Sequence, residues 1–124
     1  MNASLTQKLF DAYPRLYRHV NKSNVHFLNC GEGWFTLIEK ASAAIETQAL
    51  KDNCNDDNWP SVNEIYQKYG TLRIDVGAAS NEIYDITSSA EEKSAHVCEL
   101  CSEKGKTYPG FWDVTRCKQC KDHA

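Results

Sequence analysis

No apolar run in this chain approaches the roughly 18 residues that a bilayer-spanning helix needs. Its first residues, Met1 to Gln7, lack the basic start and apolar stretch of a secretory leader. No membrane segment is expected, and the expected compartment is the reducing cytoplasm of a cell. Missing too are a His-Glu-x-x-His pair and the ligand, glutamate and Pro-Cys-x-x-Cys succession of zinc deaminases, so neither chemistry is expected. Gly31 and Gly33 are not followed by the Lys-Ser/Thr of a phosphate loop, and Glu32 between them would repel phosphate. They read as a glycine-permissive turn into a helix. Lys51 to Asn58 is acidic and rich in amides but lacks the Asp-x-Asp-x-Asp-Gly run and the closing glutamate of a calcium loop, so it reads as an exposed loop. Internal repeats and low-complexity segments are absent.

A basic surplus is also lacking. The net charge of −3 is unevenly spread: residues 1–28 carry four basic and one acidic side chain, residues 29–97 five and twelve, and residues 98–124 five and four. The middle is acidic, which suits either a solvated face or a basic partner surface. Direct nucleic-acid binding by the tail is disfavoured, because four metal-bound thiolates would offset its slight positive excess.

What the chain does have is paired cysteine. Cys98-Glu99-Leu100-Cys101 and Cys117-Lys118-Gln119-Cys120 stand fifteen residues apart. Two such tight turns can surround one Zn²⁺ with four thiolates, and backbone amides of each turn then point at the sulfurs. Disulfides fit less well without a secretory leader, and a redox pair fits less well because neither pair opens a helix after a strand. The expected ligands are Cys98, Cys101, Cys117 and Cys120; the runner-up set is Cys98, Cys101, Cys120 and His123. An all-cysteine set is closed, so the zinc is expected to be structural, replacing a core that the 27 residues of the tail could not build alone.

The other residues predict an α+β fold: a small helical domain with a short antiparallel sheet over 1–97, and a zinc ribbon over 98–124 docked on it. Ser4 to Gln7 suggests a capping box for a helix over about 5–12. Val25 to Leu28 suits a strand or an extended loop. Trp34, Leu37, Ile38, Ala41, Ala44 and Ile45 recur at three and four, marking the best helix. Ser61 to Glu64 suggests a second capping box, with a Pro60–Ile65 staple, for a short helix through Val62, Ile65, Tyr66 and Tyr69 that stops at Gly70. Thr71 to Val76 alternates as a strand, and a further helix follows over about 81–95. The ribbon's Tyr108, Phe111, Trp112 and Val114 are expected to pack back onto the domain.

Tyr13-Pro14-x-Leu16-Tyr17, Cys30-Gly31-x-Gly33-Trp34, Tyr69-Gly70-x-Leu72-Arg73 and the terminal cysteine pairs, with Trp112 before Thr115-x-Cys117, span nearly the whole chain. In that succession the chain resembles a family of small proteins encoded by bacteriophages and prophages. In that family the last pair is often Cys-x-x-His-Ala; here Cys120-x-x-His123-Ala124 follows Cys117-x-x-Cys120, which leaves the fourth ligand open. The resemblance implies a phage accessory role. By analogy, small metal-stapled phage proteins include inhibitors of host defence such as anti-CRISPR proteins.

The expected function is therefore non-enzymatic: binding a host protein complex, such as a CRISPR–Cas effector, with Trp59, Tyr84, Tyr108 and Trp112 as candidate contact residues. His19, His26, Cys30 and Cys54 form no recognisable catalytic arrangement. Two alternatives stand beside it. One is a zinc-ribbon adaptor in nucleic-acid metabolism; the other is a small metal-dependent hydrolase using Glu32 or Asp75 with a second divalent ion.

Overall fold

A computed structural model of the chain describes residues 1–20 and 28–122. Helix α1 spans Ala3–Ala12, and its cap is Asn2, whose side chain accepts the Leu5 N–H at 2.8 Å. The expected Ser4 box is displaced because asparagine caps as well as serine and comes first. Of the Val25 to Leu28 stretch only Leu28 is described; it opens the two-residue strand β1, Leu28–Asn29. His26 and His123 lie outside the described residues.

A 3₁₀ turn, Glu32–Trp34, leads into α2, Phe35–Lys51. The apolar spacing seen in the sequence becomes a buried stripe of Trp34, Ile38, Ala41, Ile45 and Ala49. Ser42 on that stripe is tolerated because its hydroxyl meets the Tyr17 hydroxyl at 2.8 Å and the Ile38 carbonyl at 2.8 Å. Strand β3, Thr71–Val76, and α3, Asn81–Ser94, fall where the sequence places them. Ser80 caps α3, and buried Ser94 near its end accepts the Leu72 N–H at 2.8 Å, tying helix to strand.

Val62–Lys68 is a strand, β2, not the short helix that the sequence spacing suggests. It pairs antiparallel with β3, and the register shifts between Val62 and Glu64. That bulge inserts one residue into the alternation, so the inward-facing Val62 and Ile65 stand three apart and imitate a helical repeat. Tyr69 and Gly70, with φ of 53° and 80°, close a two-residue hairpin between the strands. No capping box forms at Ser61; its carbonyl instead accepts the Gly77 N–H at 3.1 Å.

The three-stranded sheet runs β1-β2-β3, with β1 parallel to β2, so it is mixed and not wholly antiparallel. The helices and this sheet enclose a core that includes Leu9, Phe10, Leu16, Tyr17, Trp34, Ile65, Leu72 and Ile83. A second, antiparallel pair, β4 (Lys106–Tyr108) and β5 (Val114–Arg116), forms the hairpin of the C-terminal segment.

Candidate metal centre

The four tail cysteines come together. Their sulfurs all lie within 4.8 Å of one another, and among the described residues this is the group of histidine, cysteine or carboxylate side chains that converges as metal ligands would. The turn at Cys98–Cys101 is the first knuckle: the Cys98 N–H bonds to the Glu103 carbonyl at 2.7 Å, and the Ser102 N–H returns to the Cys98 carbonyl at 3.0 Å. The β4–β5 hairpin then reverses the chain and delivers the second knuckle, where the Cys120 N–H bonds to the Cys117 carbonyl at 3.2 Å. Knuckle, hairpin, knuckle is the ribbon arrangement anticipated from the spacing.

The donor set fits a metal ion. Four sulfurs about 2.3 Å from one centre stand about 3.8 Å apart in a tetrahedron; Cys101 Sγ and Cys117 Sγ are 3.6 Å apart, too far for a disulfide. The sulfurs are close enough to shift one another's protonation. Burial opposes the thiolate of Cys98, but hydrogen bonds from the backbone of Cys117, Cys101 and Leu100 outweigh it and bring the thiol down from 9.0 to about 7. Cys120 is pushed up to about 12, chiefly by its contact with Cys117, with burial and the other two sulfurs adding. One sulfur ionises readily and another resists, as expected of crowded like charges; a bound dication would let all four be thiolates.

Where the centre sits depends on contacts far away in sequence. The Trp34 indole N–H reaches the Val97 carbonyl at 2.9 Å, the Gly33 N–H the Glu99 carbonyl at 2.9 Å, and the Ser102 hydroxyl the Gly33 carbonyl at 2.8 Å. A Cβ on Gly31 or Gly33 would lie about 2 Å from the backbone of Glu99 or Cys98 (2.1 and 2.2 Å to the nearest oxygen). These glycines therefore serve close approach to the first knuckle, a role the sequence reading missed. On the opposite side Thr115, fully buried, donates to the Gly70 carbonyl, and Gln67 Nε2 donates to the Asp113 carbonyl at 2.7 Å. The ribbon is thus docked on the rest of the fold by polar contacts.

The other sequence-derived candidates scatter. Phe111 and Trp112 do not pack inward: they are 93% and 77% exposed, in edge-to-face contact at the hairpin tip. The ribbon meets the body through Thr107, Thr115 and knuckle backbone, and the two rings stand outside that contact. Trp59 is buried beneath the Arg15 guanidinium, 3.8 Å from its ring centre, so it is not a contact residue. The Tyr84 hydroxyl bridges the Gly77 carbonyl and the Ala79 N–H, and Tyr108 is half-buried. Glu32 accepts from Asn2 at 2.8 Å, whereas exposed Asp75 pairs in register with Glu64 on the sheet; the two carboxylates line different depressions. Cys30 and Cys54 stand apart from the sulfur cluster, and no helix among the described residues is long and apolar enough to cross a membrane. Compared with known proteins, the chain matches no family model, no curated protein and no solved structure.

Proposed function

We propose that the cysteine cluster holds one Zn²⁺ as a structural brace and that the chain is a non-enzymatic binding protein whose contact surface is the ribbon hairpin. Zinc is favoured by four thiolate donors in a closed tetrahedral set, in a compartment that keeps thiols reduced. Cys98, Cys101, Cys117 and Cys120 would hold it; no donor position is left for a reactant.

The observation that carries the binding role is the exposure of Phe111 and Trp112 on a loop that is itself fixed. The Gly110 N–H bonds to Asp113 Oδ1 at 3.4 Å, and Gln67 anchors the Asp113 carbonyl. Two large rings held in water without a covering segment are costly unless a partner covers them, and such rings dominate binding surfaces. The proposed partner is a host macromolecular complex. Its further identity, a bacterial defence complex such as a CRISPR–Cas effector inhibited by a phage protein, rests on the motif resemblance.

Metal analysis of protein purified without added zinc, together with capture from bacterial lysate, tests this reading. One equivalent of zinc and a partner lost on Phe111→Ser plus Trp112→Ser are expected. Metal-free folded protein, or a partner retained unchanged by that double variant, would overturn it.

A further inference from the structure

The four sulfurs of the cluster differ in their access to solvent. Cys98 is fully buried and Cys117 is 6% exposed, whereas Cys120 is half-buried and Cys101 is exposed. The cause is local. The Cys98 carbonyl faces Gly33 and its N–H is bonded to the Glu103 carbonyl, so the first residue of the knuckle lies against the body while the turn carries Cys101 outward. Two depressions open beside the cluster, one bounded by Gly31 and Glu32 and the other by Glu103 and Lys118, and Cys101 and Cys120 line both. A filled tetrahedral shell shields an ion, but it leaves the outer face of an exposed sulfur within reach of solutes. A second sulfur is already at hand: Cys117 Sγ stands 3.6 Å from Cys101 Sγ.

From this we propose that Cys101 is a site of reversible oxidation by hydroperoxides, with Cys117 as its resolving partner, and that this oxidation ejects the metal; the inference rests on the reading of the cluster as a zinc centre. The chemistry balances in two steps. The Cys101 thiolate attacks one oxygen of hydrogen peroxide: an S–O bond forms, the O–O bond breaks and hydroxide leaves, so the sulfur is oxidised by two electrons to a sulfenic acid and the peroxide is reduced. The Cys117 thiolate then attacks the Cys101 sulfur; the S–S bond forms, the S–O bond breaks and a second hydroxide leaves. For this the two sulfurs approach by about 1.5 Å, to about 2.05 Å. Two of the four donors are consumed, and Cys98 with Cys120 does not make the four-donor set that structural zinc requires. A covalent link between the two knuckles then stands in place of the metal, and a dithiol reductant with fresh zinc reverses the change. Burial sets the order, since an oxidant must reach a sulfur to react with it and Cys98 offers no open face.

The test uses the full-length zinc-loaded protein, hydrogen peroxide in graded amounts, a chromogenic zinc indicator and dimedone as a trap for sulfenic acid. Expected, beyond a peroxide-free sample, are one zinc released for every two thiols lost in the first phase and a dimedone adduct on Cys101. Without the trap, peptide mass mapping should find Cys101–Cys117 as the first disulfide, and dithiothreitol with added zinc should restore the metal. Because Cys101→Ser removes a metal donor, the unaltered chain carries the test. Cys30→Ala plus Cys54→Ala, which leaves the cluster intact, is the control and should release zinc at an unchanged rate. A first disulfide that omits Cys101 or Cys117, a dimedone adduct mainly on Cys98, or release slowed several-fold in the control variant would each overturn the inference. Zinc-loaded protein that keeps its metal through excess peroxide sinks this inference alone. Protein that folds without zinc sinks the broader reading with it.

Discussion

Gly33 donates its N–H to the Glu99 carbonyl at 2.9 Å, and its Cα faces the first knuckle so closely that a methyl group there would stand 2.2 Å from the Cys98 carbonyl oxygen. One residue in the 3₁₀ turn that leads into α2 therefore sets the distance between the body of the fold and the first cysteine turn. The neighbouring Gly31 approaches the Glu99 carbonyl in the same way. Both contacts are with backbone, which cannot rotate out of the way.

Gly33→Ala should accordingly force the ribbon off the body, at a cost of about 1–3 kcal/mol or somewhat more, as for overpacking in general. Chemical denaturation would read the loss. The same variant should lower metal affinity, because the Val97 carbonyl, held by Trp34, and the knuckle would shift together. An unchanged midpoint and unchanged zinc retention would contradict this docking.

Removing the metal should act locally first. With chelator, or in Cys101→Ser, the ribbon loses its brace while α2, α3 and the three-stranded sheet keep their own core. Hydrogen exchange is expected to accelerate across residues 97–122 before it does at Ile38, Ile45 or Leu72. Trp112 emission should move little, since that ring is already in water. Simultaneous melting of both regions would mean that the ribbon is part of the global folding unit.

Glu99 and Arg116 join the first knuckle to β5 at 3.2 Å, with both side chains mostly buried (11% and 14% exposed). Glu99→Gln keeps the shape and removes the charge, leaving the guanidinium under-compensated; a loss of about 1–3 kcal/mol follows. A compensating Arg116→Met in the same chain should recover part of it. Double-mutant analysis of thermal midpoints checks the coupling.

Alkaline pH should destabilise the body of the fold. Burial raises the Cys30 thiol from 9.0 to about 11, with the Glu99 carboxylate adding and the terminal ammonium opposing. Burial likewise holds the Tyr17 phenol above its ordinary 10.0, against the lowering effect of its Ser42 hydrogen bond. Raised folded-state values mean that their stabilisation is full below the unfolded values and fades as pH climbs past 9, first through Cys30 and then through Tyr17. Melting at pH 8, 9, 10 and 10.5 should show the decline; a two-unit shift is worth about 2.7 kcal/mol in full, of which about 2 is lost by pH 10.5. Cys30→Ala should remove its first part.

The sequence by itself determined the features that repeat within a few residues. Two Cys-x-x-Cys turns foretold the sulfur cluster, because two knuckles of that spacing deliver four sulfurs to one point wherever the ribbon rests. The three-and-four spacing from Trp34 to Ile45 fixed α2, and the alternation from Leu72 to Val76 fixed β3, since those periods are properties of the backbone. Tertiary structure decided the rest. Val62 and Ile65 are three apart in a strand because a bulge forms against β3, a pairing that no local pattern encodes. Gly31 and Gly33 matter through a surface 65 and more residues away. Phe111 and Trp112 read as core by composition and stand in solvent, because the ribbon meets the body through Thr107, Thr115 and knuckle carbonyls. Burial is set by which faces meet, and that is settled only when distant segments pack.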